Sequence, residues 1–310
     1  MASKDKTIHL GAGATFKLET IIGESTFGEV WSAHWLQTDT RVALKLVHQQ
    51  QMARYSPGVQ ERWPEELSKE ISFLERIRAG HVIRLYRHGF FEEMPVMVLE
   101  QLHSCLYRRI TSNQEMFALK THVEWFRHLV EGVRVVHREG VRHLDLKPQN
   151  ILLTPPSAAG QRLKIADFGT SRTGPELHEH AGTIGWEAPE QFFPAQQTRG
   201  SYLYQTDQRA DFYALGLLLF FMISQGQKTW FSQQCQALHD EGQELAAWNS
   251  KGRVIGSLTD MDREIFLSGL GEYRCTEKGR RLLQLLEQLL AEHPENRPQD
   301  AREILVGIPF

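Results

Sequence analysis

Three cysteines in 310 residues, Cys105, Cys235 and Cys275, are too few and too scattered for a disulfide framework or for metal-ligand spacing. Their scarcity points to a reducing compartment, and a cytoplasmic protein is expected. Excess charge is lacking as well. A formal net charge of −3 offers no basic field, so no nucleic-acid partner is expected. Nor is there a long apolar run: the strongest, residues 214–223, is about half of the ~20 residues that a membrane span requires. It reads as a buried helix, and no membrane insertion is expected. The opening Met1-Ala2-Ser3-Lys4-Asp5-Lys6 is charged but lacks a following apolar stretch, so it does not read as a signal peptide. Repeats and low-complexity tracts are missing too. What is present, 41% hydrophobic and 24% charged residues, is the balance of a globular chain.

The first hundred residues are rich in short strand signals. Residues 16–22, 29–33, 41–47, 82–87 and 95–100 carry β-branched or aromatic side chains between turn residues. One helix interrupts them over 64–77, where Leu67, Ile71, Leu74 and Ile77 fall on one face. The polar stretch 49–62, with Ser56-Pro57-Gly58, reads as a loop ahead of that helix. Beyond Leu102 helices dominate, over 123–137, 211–224 and 280–292, with two short strands at 151–153 and 163–165.

Several clusters carry chemistry. Gly23-Glu24-Ser25-Thr26-Phe27-Gly28-Glu29-Val30 lies between two strands. Its glycines could let the backbone approach a phosphate; a plain hairpin turn is the equal alternative. It lacks the Gly-Lys-Ser/Thr ending of a Walker loop. Val42-Ala43-Leu44-Lys45 places a lysine among apolar neighbours, where an inward ammonium needs a partner, and Glu70 on the helix can supply one. His143-Leu144-Asp145-Leu146-Lys147-Pro148-Gln149-Asn150 is followed by Ala166-Asp167-Phe168-Gly169. Two aspartates, an asparagine and a lysine so gathered suit Mg²⁺ with phosphates, because Mg²⁺ takes one or two carboxylates and substrate oxygens. Zinc is disfavoured, since His143 is the cluster's only nitrogen or sulfur ligand of the usual kind.

In order, the glycine loop, VALK, the helix glutamate, HLDLKPQN, DFG, GTIGWEAPE, DFYALG and NRP resemble the eukaryotic-like protein kinase superfamily over about residues 16–306. The resemblance implies an α+β, bilobal fold: a small β-rich N-lobe with one major helix over 16–102 and a larger, mainly helical C-lobe over 103–310. Residues 1–15 would be an N-terminal extension. It implies ATP and Mg²⁺, which Mn²⁺ can replace, and a protein substrate, and it leaves room for a regulatory protein partner. Lys45, held by Glu70, would grip the α- and β-phosphates beneath Gly23, Ser25 and Gly28. Asp145 would accept or orient the proton of the attacking hydroxyl, and Lys147 would steady the γ-phosphoryl. Asn150 and Asp167 would hold metal. Val30 and Ala43 would roof the adenine and Leu152 floor it, with Leu99 as gatekeeper and the backbone from Glu100 to Leu102 as hinge.

Lys147 and Thr183 favour serine or threonine as acceptor over tyrosine, by the same resemblance. It pairs Glu190 with Arg297, and sets Asp211 against the catalytic-loop backbone. The sequence departs from the family at Ser25, which replaces the middle glycine, and at Leu144. Kinases that depend on activation-segment phosphorylation carry arginine at that second position, and leucine cannot bind a phosphate. A non-RD kinase competent without phosphorylation is therefore expected, and Thr170, Ser171 and Thr173 are the expected exposed hydroxyls of the segment. Two rivals fit less well. A small-molecule kinase has no use for GTIGWEAPE, and a pseudokinase scaffold would normally lack Lys45, Asp145 or Asp167.

Overall fold

The computed structural model describes residues 3–11, 13–25, 28–47, 57–112, 117–158, 160–198, 201–243 and 256–309. The chain divides into two compact units, Met1–His103 and Ser104–Phe310.

The first unit is built on a six-stranded antiparallel sheet. Its strands are β1 (Thr7–Leu10), β2 (Ala14–Ser25), β3 (Gly28–Trp35), β4 (Thr40–Val47), β5 (Leu85–Phe91) and β6 (Met94–Glu100), in the order β1-β2-β3-β4-β6-β5. Period-two alternation turns Ile8, Leu10, Phe16, Leu18, Val42, Leu44 and Val98 into one buried cluster. Between β5 and β6, Glu92 and Glu93 both take positive φ, 49° and 63°, as a two-residue hairpin turn requires. The single described helix, α1 (Pro57–Arg76), buries Leu67, Phe73 and Leu74.

Three sequence expectations shift in this unit. Residues 57–62 belong to α1 and do not loop; proline early in a helix loses only an amide that would lack a partner anyway. The rest of the expected loop, 49–56, lies outside the described residues. The strand expected over 82–87 runs instead over β5, because Val82 and Ile83 are buried ahead of the ladder. Finally, the segment read as an extension contributes β1, whose Ile8 pairs with Phe16.

The second unit is mainly helical. Short strands β7 (Ser104–Cys105), β9 (Ile151–Leu153) and β10 (Leu163–Ile165) form one ladder; β8 (Val141–Arg142) pairs with β11 (Arg172–Thr173), and β12 (Gln196–Thr198) with β13 (Ser201–Leu203). The helices are α2 (Leu106–Thr111), α3 (Leu119–Arg138), α4 (Pro189–Phe192), α5 (Arg209–Ile223), α6 (Trp230–Asp240), α7 (Asp260–Gly269), α8 (Glu277–Leu289) and α9 (Ala301–Gly307). The apolar run expected to form a buried helix is α5, buried on every side from Ala210 to Ile223. Among the described residues no helix is long and apolar enough to cross a membrane.

Candidate active site

In the β-rich unit Lys45 and Glu70 form a largely buried ion pair. Lys45 stands on β4 opposite Val30 and Met97. Its ammonium donates to both oxygens of Glu70 on α1, at 3.0 and 2.9 Å. Glu70 is only 3% exposed, and a buried carboxylate of that kind needs such a cation. The glycine segment is a hairpin whose pairing runs from Gly23↔Val30 to Ser25↔Gly28. A methyl group on Gly28 would sit 1.7 Å from the Leu46 carbonyl oxygen, so the strands approach too closely for any side chain. Gly23 differs: its nearest neighbour would be Val30 Cβ at an ordinary 3.8 Å. Ala43 and Leu99 are buried and face each other across β4 and β6, and Glu100 donates its amide to the Arg84 carbonyl at 2.9 Å. Leu102 is half-buried.

In the helical unit the HLDLKPQN loop spans the turn between β8 and β9. Asp145 is buried and bound by three donors. Lys147 Nζ reaches Oδ2 at 2.8 Å, Asn150 Nδ2 reaches Oδ2 at 3.0 Å, and Thr183 Oγ1 reaches Oδ1 at 2.6 Å. Lys147 also donates to the Thr183 hydroxyl at 2.6 Å. The hydroxyl thus accepts from the ammonium and donates to the carboxylate, and the four side chains form one oriented group. Asn150 donates to the Asp145 carbonyl as well, at 2.9 Å, which leaves its own amide oxygen as its remaining acceptor.

Asp211, at the start of α5, holds this loop by its backbone. Its carboxylate accepts the His143 and Leu144 amides, each at 2.8 Å, and the His137 ring nitrogen at 2.7 Å. Burial pushes the Asp211 carboxyl upward, yet the His137 hydrogen bond and charge outweigh it and hold it below the usual value. The His143 ring is fixed as well. Nδ1 accepts the Asp145 amide at 3.2 Å, so Nε2 carries the proton and donates to the Ala166 carbonyl at 3.1 Å. It packs edge-to-face with the Phe168 ring, with 4.8 Å between centroids. Leu144 and Asp167 sit at φ 63° and 62°. This left-handed region is costly for a bulky residue such as Leu144, whose amide and carbonyl are held there by Asp211 and Gln191. Leu152 is half-buried on β9, and Asp167 is exposed.

The Glu190–Arg297 pair expected from the sequence forms with two parallel bonds, at 2.6 and 2.9 Å. Ser171 departs from expectation: it is 2% exposed, with its hydroxyl directed at the His143 carbonyl 3.4 Å away. Thr170 is half-buried and only Thr173 of the three is exposed. Sequence reasoning also missed Gln191, which donates to the Leu144 and Ala181 carbonyls, each at 2.8 Å. It lies beside the APE motif, but no spacing rule marks a glutamine there as a bridge.

Lys45 with Glu70 in one unit, and Asp145, Lys147 and Asn150 in the other, are therefore set in defined groups. The comparisons with known proteins agree in kind. A family model described as the protein kinase domain matches residues 16–306. CBL-interacting protein kinase 30 of Oryza sativa is 29% identical over 229 residues, covering 72% of this chain and 44% of that protein. The carbon catabolite-derepressing protein kinase of Saccharomyces cerevisiae is 30% identical over 185 residues, covering 59% and 27% respectively. The CBL-interacting serine/threonine-protein kinase 8 of Arabidopsis thaliana is 28% identical over 214 residues, covering 67% and 44%. The chain spans less than half the length of these curated relatives. Because the family match runs through almost its whole length, the chain belongs to the protein kinase domain family.

Proposed function

We propose that this chain transfers the γ-phosphoryl group of ATP to serine or threonine hydroxyls of protein substrates, in the cytoplasm, as a kinase of the non-RD type. The observation that carries the reading is the Asp145–Lys147–Thr183–Asn150 group. Its buried carboxylate, ammonium and hydroxyl are oriented before any substrate arrives, and phosphoryl transfer depends mainly on positioning and charge. Asp145 takes or orients the proton of the acceptor hydroxyl. Lys147 balances charge on the transferring group, and Lys45, fixed by Glu70, grips the α- and β-phosphates.

The donor set fits Mg²⁺. Asp167 offers an exposed carboxylate and Asn150 an amide oxygen. Among the described residues no trio of His, Cys, Asp or Glu is gathered for a metal that relies on protein ligands alone. Mg²⁺ bound there, or Mn²⁺ in its place, would neutralise phosphate charge. Serine/threonine preference rests on Lys147 and Thr183 and on the names of the relatives. A regulatory protein partner is part of the proposal, since relatives are named as CBL-interacting kinases.

The test is incubation with labelled ATP, Mg²⁺ and a generic basic protein, followed by phosphoamino-acid analysis. Label on serine or threonine is expected. In Asp145→Asn the rate should drop about 10²- to 10⁴-fold, the range for losing a positioned base, with circular dichroism unchanged. Equal labelling by this variant, or phosphotyrosine alone, defeats the reading.

A further inference from the structure

Leu144 leaves the catalytic loop without the arginine that grips a phosphorylated segment, but the residue two positions earlier is itself an arginine. Arg142 ends β8 and is 7% exposed. Its Nη2 donates to the Gly174 carbonyl, and its Nη1 donates to the Thr206 carbonyl and, at 3.3 Å, to the Thr206 hydroxyl. No carboxylate is ion-paired with it among the described residues; Asp211, Asp207 and Glu176 act on it from farther off. A buried guanidinium spent on carbonyl oxygens is a fastener between segments.

The bonds continue past Thr206. Its hydroxyl lies 2.8 Å from His178 Nε2, and His178 Nδ1 lies 2.7 Å from the Glu179 carbonyl. A carbonyl can only accept, so Nδ1 carries the ring proton and Nε2 accepts from the Thr206 hydroxyl, which in turn accepts from Arg142. Every donor in the relay finds an acceptor with a neutral imidazole. The His178 backbone adds two bonds to Tyr204, at 3.0 and 2.8 Å. The stretch from Gly174 to Glu179 is thus tied both to β8 and to the approach to α5. Those are the two places from which the catalytic loop is held, since Asp211 follows on α5.

We propose that Arg142 is a positioning residue: through Thr206 and His178 it clips the segment leading to Thr183 in place, by carbonyl oxygens and without a phosphate. The inference rests on the kinase reading above, because Thr183 matters through its contacts with Asp145 and Lys147. Arg142 and Thr206 line a cavity of about 820 Å³ together with Gly174, Asp207 and Arg209, so a small cation can enter from solvent.

The experiment uses the full chain, treated with phosphatase, as wild type, Arg142→Ala and Thr206→Val. Amide hydrogen exchange over 172–182 is read beside kcat and KM for peptide and ATP. Exchange should rise about tenfold or more in both variants, with kcat lowered and the KM for ATP unchanged. Millimolar guanidinium should restore kcat in Arg142→Ala alone. Unchanged exchange in both variants overturns the proposal. So does faster exchange with an unaltered kcat, or a lowered kcat that guanidinium does not restore, which would mark a merely structural arginine. If Arg142→Ala does not fold, Thr206→Val decides by exchange and kcat. Wild-type protein without kinase activity would instead defeat the kinase reading, while the exchange data would still report on the clip.

Discussion

Gly23 and Gly28 open and close the same hairpin, but they lack side chains for different reasons. At Gly28 the reason is internal: any Cβ collides with the Leu46 backbone, which no rotamer change relieves. At Gly23 no described residue demands glycine: an added Cβ would meet only Val30 Cβ, at an ordinary 3.8 Å. A side chain missing where the protein itself would accommodate one suits close approach of a ligand's phosphates, whereas a plain hairpin would tolerate alanine there. Gly28→Ala should therefore destabilise the protein by about 3 kcal/mol, the upper end of overpacking costs, read by calorimetry. Gly23→Ala should keep the melting temperature and raise the KM for ATP about tenfold, or 1.4 kcal/mol. An unchanged KM in Gly23→Ala would return this segment to an ordinary turn.

Among the elements, the segment after DFG is tied to the charge state of the His178 ring. Burial lowers the His178 pKa from 6.5, and the positive charges of Arg142, Arg172 and His180 add to this against the Glu179 carbonyl bond. The folded state thus binds its proton less readily than the unfolded chain. The ring's contribution to stability is complete above pH 6.5 and falls as pH drops from there through the depressed folded value. Protonation would put a hydrogen on Nε2, which could no longer accept from Thr206. Exchange over 172–182 in wild type should rise as pH falls from 7 to 5, after correction for intrinsic rates, and a His178→Gln variant should show no such step. The relay was not legible in the sequence, because Arg142, His178 and Thr206 meet only through β8, β11 and the approach to α5. The loop with Asp145, Lys147 and Asn150 was legible because these residues lie within six positions of one another and their motif resembles that of the kinase family. The apolar run of α5 was legible because its composition alone demands burial. β1 escaped notice, since four residues of alternating burial are a weak signal until Phe16 and Lys17 are seen to pair with them.

At the scale of the whole molecule the question is what phosphorylation can still change. A phosphate on the activation segment adds about −1.5 to −2 charges, and it orders a loop only where cations receive it. Leu144 provides none. Arg142 is committed to the Gly174 and Thr206 carbonyls, and Arg172 donates to the Thr170 and Ser171 carbonyls, 3.1 and 3.0 Å away. Meanwhile the arrangements that phosphorylation commonly establishes are formed already in the unmodified chain. Lys45 is paired with Glu70, and Thr183 is bonded to Asp145 and Lys147. On the proposed reading, control would fall to whatever shifts α1 and so the Lys45–Glu70 pair, such as a bound protein partner. The dephosphorylated enzyme should accordingly be competent. Purified protein would be treated with phosphatase, the loss of phosphate confirmed by intact mass, and initial rates compared with those of the untreated enzyme. A change of a few-fold at most is expected. A fall of about a hundredfold, equivalent to roughly 2.7 kcal/mol of barrier, would mean that phosphate supplies order which Arg142 and the Lys45–Glu70 pair do not.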